Sequence, residues 1–217
     1  MWKQKYSFEL SLMAGMAVGI GVVFVLFSHL LFQTHRVVTM PAAPQPVTEA
    51  VPEPTITPWS SPDGKKVLVM KMLKLTHESV KYSFFVTSDA TATPSGQPIF
   101  SKVVSATTTM SIPFNTWSPD DQNFFIQEHT GNETHTYVLK ASGQPFADGQ
   151  VALDVETLFA QKNSNYGIKA ITGWAAPTLL IVNTNSADPS QSAGNPGPSF
   201  WFDISRKTVI RLDHTFL

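Results

Sequence analysis

The chain has 217 residues, 15 basic and 16 acidic side chains, a formal net charge of -1, and no cysteine. Near-neutral charge gives no global field to draw in nucleic acid or an anionic bilayer. RNA-binding aromatic motifs and Cys/His finger spacings are both absent, so nucleic acid is not an expected partner. Without cysteine there are no disulfides, thiolate nucleophiles or thiolate-bound metals.

Residues 1–9 carry Lys3 and Lys5 and read as a short cytoplasmic tail. Leu10 to Phe32 is a run of 23 residues without a formal charge. As a helix it would be about 34 Å long, enough to span a hydrocarbon core of about 30 Å. The run exceeds the apolar core of a signal peptide, and Gln33-Thr34-His35-Arg36 offers no small-x-small cleavage site. We therefore expect an uncleaved single-pass transmembrane helix in the cell membrane, in contact with lipid through residues 10–32. Lys3, Lys5 and the amino terminus precede it and Arg36 follows, a bias that sets the N-terminus in the cytoplasm and the remainder outside. Ser11, Gly15 and Gly19 share one helix face, a spacing that permits the close approach of a second helix in a homodimer.

Residues 33–54 form a linker. Pro41, Pro44, Pro46, Pro52 and Pro54, with Pro58 just beyond, favour an extended, polyproline-like tether over a helix.

From residue 55 to 217 the sequence repeats. Trp59 begins Trp-Ser-Ser-Pro62-Asp63-Gly64, followed by Val67-Leu68-Val69-Met70. Trp117 begins Trp-Ser-Pro119-Asp120-Asp121, followed by Phe124-Phe125-Ile126. Trp174 precedes Ala-Ala-Pro177 and the run Leu179-Leu180-Ile181-Val182. The tryptophans lie 58 and 57 residues apart, a period typical of stacked supersecondary units. Each unit reads as a strand ending at the tryptophan, a turn, and a strand of apolar residues. Asp121 stands where the first turn has Gly64, which is acceptable because aspartate can adopt a left-handed backbone.

Further strands are expected at Lys66–Leu75, Lys81–Thr87, Pro98–Val104, Asn123–His129, Thr134–Lys140, Gln150–Phe159, Thr178–Asn183, Phe200–Ile204 and Thr208–Leu212. Ser186–Ser199 reads as a loop insertion. The expected fold is all-β: about three four-stranded antiparallel blades behind one N-terminal transmembrane helix.

Trp-Ser-Pro-Asp-Gly-Lys before an apolar strand resembles the WD40-like PD40 repeat of TolB-type propellers, a repeat also found in prolyl-oligopeptidase-like enzymes. The resemblance covers residues 55–217 loosely, is good around Trp59 and Trp117, and is poor around Trp174. It implies four-stranded meander blades and a binding or scaffolding role. Closed propellers have about four to eight blades. Three units leave open a further degenerate blade, an open arc, or two chains completing one ring.

His129, His135 and Glu128 suggest metal binding. If Gly131-Asn132 is a two-residue turn, however, Glu128 faces His135 across the hairpin and the two histidines point to opposite faces. A surface Glu128–His135 pair is then expected and no metal site. Motifs for nucleophilic catalysis, phosphate cradling and calcium binding are absent. Neither a catalytic residue nor a cofactor is expected. The expected function is a non-enzymatic module of the cell envelope that binds a protein or surface component. The alternative is an accessory or non-catalytic relative of a membrane-anchored propeller peptidase.

Overall fold

The computed structural model describes residues 53–88, 94, 96–186 and 196–212, all within a compact unit spanning Ala50–Leu217. Residues 10–32, with Ser11, Gly15 and Gly19, lie outside the described residues. Among the described residues no helix is long and apolar enough to cross a membrane.

The fold is mostly β, with three antiparallel four-stranded sheets, one helix and no closed barrel among the described residues. The first sheet contains β1 (Thr55–Ser60), β2 (Val67–Lys74), β3 (Ser79–Thr87) and β4 (Phe100–Ser105). The second contains β5 (Thr108–Ser111), β6 (Asn123–Thr130), β7 (Glu133–Lys140) and β8 (Ala152–Asp154). The third contains β9 (Tyr166–Ala176), β10 (Leu179–Ser186), β11 (Pro196–Asp203) and β12 (Thr208–Arg211). In each sheet the strands follow chain order, so each is a local meander. This multi-sheet arrangement is compatible with a propeller-like one.

The second sheet explains the unbroken apolar run Phe124-Phe125-Ile126. Successive side chains on a strand point to opposite faces. Phe124, Ile126 and Leu139 pack with Leu68, Tyr82 and Phe84 of the first sheet. Phe125, Val138 and Leu153 pack with Leu180, Val182, Phe200 and Phe202 of the third. A sheet covered on both faces needs apolar residues at consecutive positions, not alternate ones. Each such buried side chain contributes about 1.5–3 kcal/mol relative to exposure.

Three strand expectations are corrected. Gln150–Phe159 is not one strand: β8 ends at Asp154 and a helix, α1, runs from Val155 to Lys162. The Asp154 carboxylate accepts the Thr157 N–H at 2.9 Å, capping the helix. Val155 and Phe159, four residues apart, are buried on one helical face, with Phe159 edge-on to Phe200 at 5.3 Å. Secondly, β11 begins at Pro196, inside the expected loop, and pairs with Asn185. Thr184 Oγ1 donates to the Pro198 carbonyl at 2.7 Å there. The strand before Trp117 also stops early: β5 ends at Ser111, and Trp117 joins the second sheet through an isolated bridge to Phe124.

Candidate functional site

The two Trp-Ser turns are built alike. Ser61 Oγ donates to Asp63 Oδ1 at 2.8 Å, and the same oxygen takes the Lys65 N–H at 2.9 Å. Fifty-seven residues on, Ser118 Oγ donates to Asp120 Oδ1 at 2.6 Å, which takes the Gln122 N–H at 3.2 Å. Both turns close from the fourth residue back to the serine carbonyl, Gly64 to Ser61 and Asp121 to Ser118, at 2.9 Å each. Gly64 has φ 72° and Asp121 φ 57°, so aspartate does take the left-handed backbone that glycine has in the first repeat.

The joints between sheets repeat as well. The Trp117 indole N–H donates to the Trp59 carbonyl at 3.3 Å, and the Trp174 indole to the Thr116 carbonyl at 3.0 Å. Lys66 Nζ donates to the Asp121 carbonyl at 2.8 Å, and Asn123 Nδ2, at the equivalent position, to the Pro177 carbonyl at 3.3 Å. Donors at repeat-equivalent positions thus reach repeat-equivalent carbonyls of a neighbouring unit. Trp174 therefore belongs to the series, although its turn lacks the Ser-Pro-Asp residues.

These joints surround a groove of about 890 Å³. The first repeat contributes Pro58, Trp59 and Pro62; the second Phe114, Trp117 and Pro119; the third Thr172, Trp174 and Ile181. No ionisable side chain lines it. Phe114 is 81% exposed and meets Trp59 edge-on, with ring centroids 6.2 Å apart. Asn115 donates from Nδ2 to the Thr172 carbonyl at 3.1 Å. Gly173 at φ 143° lets this approach occur, since a Cβ there would lie 3.0 Å from that of Asn115. Trp59, Pro62, Trp117, Pro119 and Trp174 all come together at the groove, while Asp63, Gly64 and Asp120 form the turns behind it. Phe114 and Asn115 were not singled out in the sequence. They sit between two repeats, and only the 57-residue spacing, carried to the residues before each tryptophan, could have flagged them.

The carboxylates of the two turns are neighbours. Backbone and hydroxyl hydrogen bonds from Lys65 and Ser61 hold Asp63 far below the usual carboxylate range. Burial, and then the Asp63 carboxylate, push Asp121 up. Asp121 is 6% exposed, and its Oδ1 is buried without a hydrogen-bond partner among the described residues.

The β6–β7 hairpin has the expected register, with Glu128 opposite His135 and His129 opposite Thr134. Gly131 at φ 59° occupies the first position of its two-residue turn. The expected Glu128–His135 pair, however, does not form. Glu128 binds Lys102 of β4, which also donates to Tyr137 Oη at 2.8 Å. Burial lowers the Lys102 pKa, but the bonds to Glu128 and Tyr137 outweigh it, and the net direction is upward. His135 instead meets Asp154, Nδ1 to Oδ2, at 3.1 Å. His135, Asp154 and Glu156 each present one metal-ligating atom within 4.8 Å of the others.

A mostly β, three-sheet unit with an aromatic groove between its repeats is the class that the fold defines. No protein-family profile matches the chain, and no curated protein matches it. Among solved structures it is similar to an uncharacterised protein of Listeria monocytogenes EGD-e, with a TM-score of 0.36 and 14% identity. The match covers 73% of this chain and 41% of that one, so the chain spans less than half the length of that protein.

Proposed function

We propose that this chain is a membrane-anchored, extracytoplasmic module that binds a protein or cell-envelope partner through the aromatic groove. The three sheets act as PD40-like blades in this reading, and residues 10–32 hold them at the membrane on a proline-rich tether. The observation that carries it is the groove itself, about 890 Å³, walled by all three repeats and free of ionisable side chains. Tryptophan and proline walls offer large, rigid contact area at small cost in side-chain entropy, the character of a recognition surface. An uncharged or apolar segment of a partner suits such walls, whereas a strongly charged ligand would be desolvated there without compensation. Recovery of a stable partner after crosslinking in native membranes and purification of the full chain is the expected result. Recovery of none at native expression would contradict the reading.

A further inference from the structure

A second site stands at the edge of the middle sheet, on the side away from the groove-forming turns. β8 stops at Asp154, so β7 runs on past its neighbour and leaves the Thr136 N–H without a ladder partner. The Glu156 carboxylate, from the first turn of α1, takes that N–H through Oε2. Asp154 uses Oδ1 to cap α1 and turns Oδ2 towards His135. Each carboxylate therefore has one oxygen held by a backbone N–H. The His135 ring is held by stacking on Tyr137, with centroids 6.5 Å apart and planes 19° apart. Such prior orientation of each group by a protein partner is what ligands of metal sites have.

We propose that His135, Asp154 and Glu156 bind one divalent transition-metal ion. One imidazole nitrogen and two carboxylate oxygens form a mixed N/O set, which suits Zn²⁺ better than Mg²⁺ or Ca²⁺. Three protein ligands with a fourth position left to water is a common zinc arrangement. Tetrahedral bonds of about 2.0–2.1 Å require ligand atoms some 3.4 Å apart. The group, within 4.8 Å now, reaches that spacing by small rotations of partly exposed side chains. The ion ties β7 to the start of α1, where the ladder ends.

Calorimetric titration of the metal-stripped full chain in detergent micelles with ZnCl₂ tests this. One ion per chain is expected, with binding weakened at least 100-fold by His135→Ala and by Glu156→Gln. The glutamine keeps the carbonyl that accepts the Thr136 N–H, so the fold survives while a ligand is weakened. His129→Ala, on the neighbouring strand β6 and outside the ligand set, should leave it unchanged. Absence of Zn²⁺ binding, or binding that His135→Ala and Glu156→Gln leave intact, would overturn the proposal. Loss on His129→Ala alone would likewise refute this ligand set.

Discussion

At the scale of single residues, the second repeat turn carries a defect that the first does not. Asp121 adopts φ 57° and keeps a buried Oδ1 without a hydrogen-bond partner among the described residues, where Gly64 has neither burden. Asp121→Gly removes the buried carboxylate and relaxes the backbone, while the carbonyl that Lys66 uses remains. We expect it to raise unfolding stability by about 1 kcal/mol, read as a higher midpoint in urea. Asp203 presents the opposite case. Its Oδ1 accepts the Ser205 N–H at 2.9 Å, the Ser205 hydroxyl at 2.6 Å and the Arg206 N–H at 3.3 Å, bridging the β11–β12 turn. Burial pushes its pKa up, but the bonds from Ser205 and Arg206 outweigh burial and bring it below 3.8. A depressed carboxylate pKa adds stability that is present above the unfolded value and lost as pH falls through the folded one. Asp203→Asn should therefore cost about 2 kcal/mol at neutral pH, and the gap to the parent should close as pH drops below about 3.8. Urea unfolding at a series of pH values measures both.

At the scale of elements, the indole joints should be separable from tryptophan bulk. Trp174 donates to the Thr116 carbonyl, whereas the Trp59 indole has no hydrogen-bond partner among the described residues. Trp174→Phe is expected to cost about 1 kcal/mol more in thermal unfolding than Trp59→Phe. Equal costs would mean that ring burial alone holds the repeats together. The strands and the β6–β7 register were legible because apolar runs, turn residues and period-two alternation act locally. Helix α1 was not, since Val151, Leu153 and Val155 alternate like a strand and hide the change of period. The signal was Asp154 with Glu156 behind it, a helix-start pattern that outranks three alternating apolar residues. Reading that stretch as a strand also concealed the metal-ligating group, whose two carboxylates depend on the chain turning at Asp154. The missed β11 start has another cause: Pro196 and Pro198 mark turns in most contexts, yet here they sit in a paired strand.

At the scale of the whole molecule, two assignments rest on sequence, the anchor and the partner. The first predicts that the full chain stays with membranes through alkaline carbonate extraction, and that deletion of residues 1–40 releases it; release of the full chain by carbonate would refute the anchor. The second depends on the groove, and its aromatic walls come from positions 58 and 57 residues apart that only the stacked repeats bring together. Phe114 gives the cleanest probe, because at 81% exposure it contributes surface and little to the core. The decisive measurement is the yield of crosslinked partner captured from native membranes by the parent chain and by Phe114→Ser at matched expression. The account predicts that the serine variant folds and reaches the membrane but captures at least tenfold less partner. Equal capture by the two would contradict the groove as the binding surface.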